Sequence, residues 1–300
     1  SLSAMLDLVI STFATGFLWS LLSIGVFITY RILDIADLSV EGTYPLGAAV
    51  AAVCIAGGGS PLLAIALAML AGMIAGMVTG LLHTKLKIPA LLAGILTMIA
   101  LYSINLKVMG KANVSILGEG TVYTYFIDMG LSRSNATLVV GVLVTVIIVL
   151  ACYLFFGTEI GASIRATGDN QQMIRAQGVN TDNTIILGLV ISNGLVAITG
   201  ALIAQSTAFA DVGMGTGTIV IGLASVIIGE VLFGRRSFLN WLIAVVLGSI
   251  VYRVVIAIVL WLGLDSNDLK LLTAIIVAIA LSMPLIKDKM QGFKRLKGGS

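Results

Sequence analysis

Long apolar runs, each about as long as a membrane is thick, take up most of this 300-residue chain. A helix that crosses lipid needs roughly 20 mainly apolar residues, and a backbone in lipid must satisfy its own hydrogen bonds. The sequence therefore predicts one all-α, polytopic membrane domain over residues 1–300. The candidate transmembrane helices number about nine and cover residues 8–30, 44–56, 62–82, 89–106, 137–156, 184–205, 216–233, 239–262 and 269–286.

The composition agrees with a membrane protein and argues against other classes. Apolar residues make up 59% of the chain and charged residues 10%, and the mean hydropathy is +1.11. No soluble domain buries that much apolar surface with so few charges. The net charge of +3 is small and the basic residues lie between the spans, so nucleic acid is not a predicted partner. Both cysteines, Cys54 and Cys152, fall inside apolar runs, which argues against a disulfide framework.

The second and seventh runs are too short to be ordinary spans. We expect the second helix to start earlier, to include residues 39–45 and to be broken. The glycine-rich residues 213–217 before the seventh run would let the backbone bend at a second broken helix. Residues 36–42 and 210–216 also form a faint repeat, Ala-Asp followed by Leu-Ser-Val-Glu-Gly in one copy and by Val-Gly-Met-Gly-Thr in the other. In the orientation assigned below, one copy lies on the cytoplasmic side and the other on the external side. The chain would then consist of two halves of four spans each, joined by a linker span and inverted relative to one another, an arrangement typical of transporters.

Basic residues in the loops orient the spans, because cytoplasmic loops carry an excess of Lys and Arg. With the C-terminus taken as cytoplasmic, twelve basic residues fall on the cytoplasmic side and four on the opposite side. The coupling segment, which we define as residues 157–183, and the tail, residues 287–300, are then cytoplasmic, and the segment 107–135 is external. The twelve are Arg31, Lys85, Lys87, Arg165, Arg175, Arg235, Arg236, Lys287, Lys289, Lys294, Arg295 and Lys297, and the four are Lys107, Lys111, Arg133 and Lys270.

The coupling segment contains signals for a short helix. Asp169 can cap a helix start, and Gln172 stands three residues on, the spacing of a capping box. Gly178 is a natural stop after Gln177. The predicted helix of about nine residues, 169–177, would be roughly 13 Å long. A helix that short is marginal alone in water, so we expect it to pack on a surface.

The side chains of this predicted helix favour docking over a solvated loop. Met173 and Ile174 are apolar where a free cytoplasmic loop would favour polar groups, and Arg175 could pair with a carboxylate on a partner. The alternative is an ordinary polar connector between two spans.

Polar side chains inside spans are costly and often functional. Asn193, at the centre of the sixth span, is the strongest candidate for a substrate path. The alternative for all of these residues is an interhelical hydrogen bond worth about 0.6–2 kcal/mol. The candidates are Thr97, Asn105, Ser192, Asn193 and Gln205.

Enzymatic functions find little support. The lone histidine, His83, stands at a span end, and no Cys/His or Asp/Glu cluster has metal-ligand spacing. A phosphate-binding loop needs Gly-Lys followed by Ser or Thr, whereas Gly110-Lys111 is followed by Ala112. The sequence therefore predicts no catalytic residue, metal site or cofactor in this chain.

Three stretches together resemble the membrane permeases of bacterial ABC importers of the branched-chain amino-acid and ribose type. They are residues 30–42, residues 92–98, and residues 164–170 continuing to 178–182. The first stretch and residues 107–115 look most like an aromatic amino-acid (tryptophan or tyrosine) subgroup. The resemblance, which runs nearly end to end, implies eight to ten spans in the bacterial inner membrane.

The last stretch resembles the family's coupling segment, which docks into a groove of the ATPase. The resemblance implies a permease pair, expected to be a homodimer in the lipid, two ATPase subunits that hold ATP and Mg²⁺, and an external solute-binding (lipo)protein. The residues it assigns to coupling are Arg165, Ala166, Gly168, Asp169, Asn170, Met173, Ile174, Arg175 and Gly178.

The residues and the resemblance converge on the permease subunit of an ATP-driven importer of a small solute, such as an amino acid. The alternative is an ion-coupled secondary transporter, which would need buried carboxylates at mid-membrane. In the sequence Asp37 and Glu41 fall in the first loop and Glu230 near a span end, so the feature expected of that alternative is missing.

Overall fold

The computed structural model describes residues 2–299 as a bundle of α-helices; Ser1 and Ser300, the ends of the predicted domain, lie outside the described residues. Two three-residue strands, β1 (Asn113–Ser115) and β2 (Phe209–Asp211), form the one sheet of the described part of the chain. The helices are α1 (Leu2–Phe27), α2 (Val40–Ala56), α3 (Pro61–Thr84), α4 (Ala90–Met109), α5 (Thr124–Asp128), α6 (Arg133–Phe156), α7 (Glu159–Asp169), α8 (Gln171–Ala176), α9 (Thr181–Thr207), α10 (Thr218–Phe233), α11 (Phe238–Trp261) and α12 (Leu269–Lys297).

The all-α, multi-pass prediction is confirmed. Within residues 2–299, seven helices are long and apolar enough to cross a membrane, and α2 and α10 are shorter apolar helices. The two short helices are the two runs that the sequence marks as too short. The last span continues without a break to Lys297, so most of the predicted tail is helical.

The chain breaks before α2 rather than within it. A π-helical segment, Ile28–Ile32, extends α1, and residues 33–39 then run without regular helix to the start of α2 at Val40. Pro45 lies inside α2, which starts at Val40, before its apolar run, as predicted; since α2 remains one helix, the predicted break in it is wrong. Proline has no N–H to donate to the Glu41 carbonyl oxygen, so α2 lacks one hydrogen bond of its second turn without being interrupted.

Helix α9 forms the centre of the bundle. Most of its length is buried, and α2 and α3 pack along it through small residues. A Cβ atom added to Gly47 of α2 would lie 2.1 Å from the Ala197 carbonyl oxygen, and one added to Gly76 of α3 would lie 2.4 Å from that of Leu189. Glycine lets the backbones approach closely, which maximises van der Waals contact where lipid offers no hydrophobic driving force.

The segment between α4 and α6 closes over one end of α9. Strand β1 pairs antiparallel with β2, with Val114 opposite Ala210. The Tyr123 hydroxyl donates to the Leu202 carbonyl oxygen at 2.8 Å, and burial raises the pKa of this phenol above its usual value. Residues 113–115 and 209–211 therefore lie on the same side of the bundle.

Candidate functional site

The starts of the two short helices meet inside the bundle. The Gly217 N–H, just before α10, donates to Glu41 Oε1 in the first turn of α2 at 3.1 Å. A Cβ atom at Gly215 would lie 2.0 Å from the Glu41 carbonyl oxygen, so only glycine fits this approach. The two copies of the faint repeat are thus brought together where the two short helices begin, and transporters commonly place their substrate sites at paired short segments of this kind.

A buried polar network joins this junction to α9. Asn193 Nδ2 donates to Asp37 Oδ2 at 2.9 Å, and Asn193 Oδ1 accepts from Thr43 Oγ1 at 2.8 Å and from Ser39 Oγ at 3.2 Å. Asp37 Oδ1 accepts from the Ser39 N–H at 3.0 Å and from the Ser39 hydroxyl at 2.5 Å. All four side chains are at most 1% exposed. We call Asp37, Ser39, Thr43 and Asn193 the central network.

The central network lies at mid-membrane depth. Asn193 stands about 18 Å along α9 from Thr181 and about 21 Å from Thr207, at 1.5 Å per residue. Asp37, 156 residues away in sequence, is held at that depth by its bond to Asn193. Irregular backbone at this depth is tolerated because it is enclosed by protein.

The expectation that no carboxylate is buried at mid-membrane is therefore wrong. Asp37 is 1% exposed and receives several hydrogen bonds, and the part of the chain that the structure describes gives it no ion pair. The error arose because residues 33–39 look like a surface loop in sequence, whereas the early end of α1 and the late start of α2 draw them into the bundle.

The other predicted path residues are scattered, and most make interhelical hydrogen bonds. Thr79 Oγ1 donates to Thr97 at 2.8 Å, and Ser192 Oγ donates to the Gly25 carbonyl oxygen at 2.7 Å. Gln205 accepts from the Val122 N–H at 2.8 Å, at the end of α9 opposite the coupling segment. Thr97, Ser192 and Gln205 thus make structural hydrogen bonds, the alternative to a role in the substrate path. Of the five predicted residues, only Asn193 joins the central network.

Asn105 differs from these residues. Its Nδ2 donates to the Gly42 carbonyl oxygen at 3.2 Å, while its buried Oδ1 has no hydrogen-bond partner within residues 2–299. Asn105 lines a cavity of about 440 Å³ between α4 and residues 212–216, which we call the α4 cavity. Its polar lining also includes Glu41, Tyr102, Ser103 and Thr216. Sequence analysis missed Glu41, although its place in the repeat before a short helix was a usable signal.

The coupling segment folds as two helices rather than one. Helix α7 covers Glu159–Asp169, and Asn170 caps the six-residue α8 by accepting from the Met173 N–H at 3.0 Å. Asp169 ends α7 and is not the cap, so that assignment is wrong by one residue. Gly178 has φ +91°, a left-handed conformation that stops the helix as predicted.

Glycine also determines where α7 sits. A Cβ atom on Gly168 would lie 1.6 Å from the Ile32 carbonyl oxygen, at the end of the π-helical segment. The coupling segment therefore rests directly on the end of the π-helical segment that extends α1, and seven residues, 33–39, separate that end from the start of α2.

The predicted docking residues separate into exposed and internal groups. The Met173 side chain is 54% exposed, whereas that of Ile174 is 7% exposed. Arg175 donates to Asp182 Oδ1 at 3.1 Å and to the Thr181 hydroxyl, and Arg165 lies over the Phe238 ring at 4.6 Å. Exposed positions also include Asp169 and Asn170, and Ala166 and Gly168 are half-buried. The prediction that Ile174 is a free docking anchor is wrong, since it is already packed in the chain.

Ion pairs gather basic residues of several loops at one end of the bundle. Glu230, with a side chain 7% exposed, accepts from Arg31 Nη2 at 2.7 Å and lies 3.5 Å from Arg235 Nη1. Lys85 Nζ lies 3.5 Å from Asp182 Oδ2, the carboxyl group that also binds Arg175. These contacts place Arg31, Lys85, Arg175 and Arg235 on one side of the bundle, as the charge pattern requires.

Known proteins resemble the chain along most of its length. The family described as "Branched-chain amino acid transport system / permease component" matches residues 8–281. A protein named tyrosine transport system permease protein, from Clostridioides difficile, is 41% identical over 274 residues, which cover 91% of this chain and 90% of that relative. An uncharacterized protein of Rickettsia prowazekii is 35% identical, with 87% of this chain and 92% of the relative covered. The autoinducer 2 import system permease protein LsrC of Salmonella typhimurium is 27% identical, with 73% and 61% covered.

Proposed function

Since the chain belongs to the family of branched-chain amino acid transport permease components, we propose that it is the membrane subunit of an ATP-driven importer for an aromatic amino acid such as tyrosine. The observation that carries the substrate class is the 41% identity to a tyrosine transport system permease over 91% of the chain. The chain forms the membrane passage, and two short helices whose starts meet beside the central network are a suitable framework for it.

The energy for transport comes, in this proposal, from a partner. The sequence has no phosphate-binding loop, since its Gly110-Lys111 pair is followed by alanine. A separate ABC ATPase then binds ATP and Mg²⁺, a second copy of the permease completes the passage, and an external solute-binding lipoprotein delivers the substrate. The exposed side of the coupling segment is the surface offered to the ATPase.

A reconstituted system tests the function. The permease alone in proteoliposomes should hydrolyse no ATP. With its ATPase and the tyrosine-loaded binding protein it should take up tyrosine when ATP is supplied, without any ion gradient. Uptake driven by a proton or sodium gradient in the absence of ATP would instead favour ion-coupled transport, for which Asp37 would supply the buried carboxylate.

We place the chain in the bacterial inner membrane with the coupling segment and the C-terminus in the cytoplasm. The excess of basic residues at one end of the bundle supports this orientation. A cysteine introduced at Met173 would report the side on which the coupling segment lies.

We assign the coupling contact to the exposed residues Met173, Arg165, Asp169 and Asn170. Arg175 binds Asp182 of the same segment, Ile174 is packed in the chain and Gly178 ends α8, while Ala166 and Gly168 fit the segment against the bundle. An apolar side chain 54% exposed in a cytoplasmic segment is the kind of anchor that a partner's pocket covers.

The coupling segment also offers a route for motion. Because Gly168 contacts Ile32, closure of the ATPase pair that shifts α7 would push on the end of α1. Residues 33–39 link that end to α2 and hold Asp37 of the central network. Alternating access would then follow from rocking of the α1–α2 junction against α9.

Two neighbouring residues provide a matched test of the docking surface. Met173→Ala should weaken ATPase binding by about thirtyfold, which corresponds to about 2 kcal/mol lost at an interface anchor, and leave the isolated permease as stable as before. Ile174→Ala should instead lower the thermal stability of the permease, because its side chain is already buried.

Two measurements on both variants separate these effects: a pull-down of the ATPase, and the thermal stability of the permease in detergent. Met173→Cys should react with an impermeant maleimide from the cytoplasmic side and be protected by bound ATPase. Unchanged ATPase binding by Met173→Ala would move the contact away from α8.

A further inference from the structure

The α4 cavity presents hydrogen-bond acceptors that lack donors. Glu41 is partly buried, its carboxylate accepts one hydrogen bond, from the Gly217 N–H to Oε1, and it has no ion pair within residues 2–299. Asn105 is 1% exposed, and the donation from its Nδ2 to Gly42 fixes the amide so that Oδ1 is the unpaired atom. The partly exposed carboxylate of Glu41 can accept further hydrogen bonds in the cavity, and the amide oxygen behind the wall adds to the negative potential there, so the cavity favours a ligand that donates hydrogen bonds.

The cavity wall also limits the charge of that ligand. None of the residues lining the cavity is basic, so the Glu41 carboxylate is the single formal charge of the lining. A cationic donor would pair with it, while an anion would meet repulsion without compensation. Ser103 and Thr216 add hydroxyl groups to the wall.

Size and apolar surface point to an organic ammonium compound rather than a bare ion. A volume of about 440 Å³ falls within the range of small-molecule pockets. Pro45, Met98 and Ile99 line it together with Tyr102, whose side chain is 55% exposed. An aromatic or aliphatic body could pack on these groups while its ammonium group reaches Glu41.

We propose that the α4 cavity is a substrate station on the passage and that Glu41 binds the ammonium group of the transported amino acid. This inference rests on the proposed function and adds to it the chemical group that the membrane subunit itself recognises. Glu41, in the first turn of α2, contacts Gly217 at the start of α10, and this contact couples occupation of the cavity to the junction of the two short helices.

The proposal is tested by protection of a cysteine in the cavity wall. Ser103 is exposed and lines the cavity, so Ser103→Cys, in a Cys54→Ser background, can be alkylated by a maleimide in the permease–ATPase complex. Tyrosine and tyramine, which both carry the ammonium group, should slow alkylation. N-acetyltyrosine, which keeps the carboxylate and the ring but lacks the ammonium group, should not.

Glu41→Gln in the same background removes the charge but keeps an oxygen that can accept from the Gly217 N–H. It should weaken protection by tyrosine about tenfold or more, as loss of a charge-assisted hydrogen bond implies. The same change at Glu119, an exposed residue of the external segment, should leave protection unaltered.

The outcomes distinguish this inference from the proposed function. If the reconstituted wild-type system imports no tyrosine, the proposed function fails. If tyrosine is imported but neither tyrosine nor tyramine slows alkylation of the Ser103→Cys variant, or N-acetyltyrosine protects equally, the ammonium site is overturned. The three-ligand comparison needs no Glu41 variant, so it decides the question even if Glu41→Gln fails to fold.

Discussion

Replacing Asp37 with asparagine should abolish transport and destabilise the membrane domain. Asp37 Oδ2 accepts from Asn193 Nδ2, and an asparagine that keeps its oxygen toward Ser39 would turn an amide N–H₂ group toward that donor. Two donors would then face each other where no water is available. Each buried group left unpaired costs about 1–3 kcal/mol. Heating of the purified permease, followed by size-exclusion analysis, measures the loss, and tyrosine uptake measures function.

Asn193 offers a matched rescue. Asn193→Asp alone would set two carboxyl groups against each other and should be at least as damaging. The double exchange Asp37→Asn with Asn193→Asp restores one amide donor and one carboxylate acceptor across the pair. It should recover a large part of the stability lost by either single variant. Independent, additive losses would show that the two side chains do not interact as the structure places them.

Gly168→Ala should uncouple ATP hydrolysis from uptake while leaving the membrane helices folded. The added methyl group would lie 1.6 Å from the Ile32 carbonyl oxygen, a backbone atom that cannot rotate away. Helix α7 must therefore shift off the end of α1, and overpacking of this kind costs about 1–3 kcal/mol. Coupling is measured as the ratio of tyrosine uptake to ATP hydrolysis. Both are recorded with the same proteoliposomes, with hydrolysis stimulated by the loaded binding protein.

Gly157→Ala is the control for the Gly168 variant. It adds the same methyl group to the same cytoplasmic segment, but the nearest atoms would lie at 3.5 Å, an ordinary contact, and the backbone there has φ −83°. Its coupling should equal that of the wild type. If Gly168→Ala also transports normally, contact between α7 and the end of α1 is not the route by which the ATPase moves the passage.

Local sequence signals predicted the fold well. The nine apolar runs correspond to seven long helices and two short ones, and the glycine at residue 178 ends a helix where expected. Helix boundaries were less accurate. Asn170 takes the cap that was assigned to Asp169, because both are good caps one residue apart and helix α7, unforeseen in the sequence, ends at Asp169.

The candidate site was only partly predictable. Asn193 was identified because a polar side chain at the centre of an apolar span is costly wherever the helix packs. Asp37 and Glu41 were assigned to the first loop. Nothing local shows that residues 33–39 turn inward, and for Glu41 its place in the repeat was the one usable signal. Met173 and Ile174 are adjacent and both apolar, and a helix of six residues is too short for periodicity to show which one faces the bundle.

The sequence by itself determined the class of protein, the number of its apolar helices, which two of them are short, and the side on which basic residues collect. These properties depend on local hydrophobicity and charge, which act on each segment separately in lipid. Only the tertiary structure decided that Asp37 meets Asn193, that Glu41 meets Gly217 and that Gly168 rests on Ile32. Such contacts join residues that are far apart in the sequence, and they depend on which helix faces fit closely enough to exclude lipid and pair their polar groups.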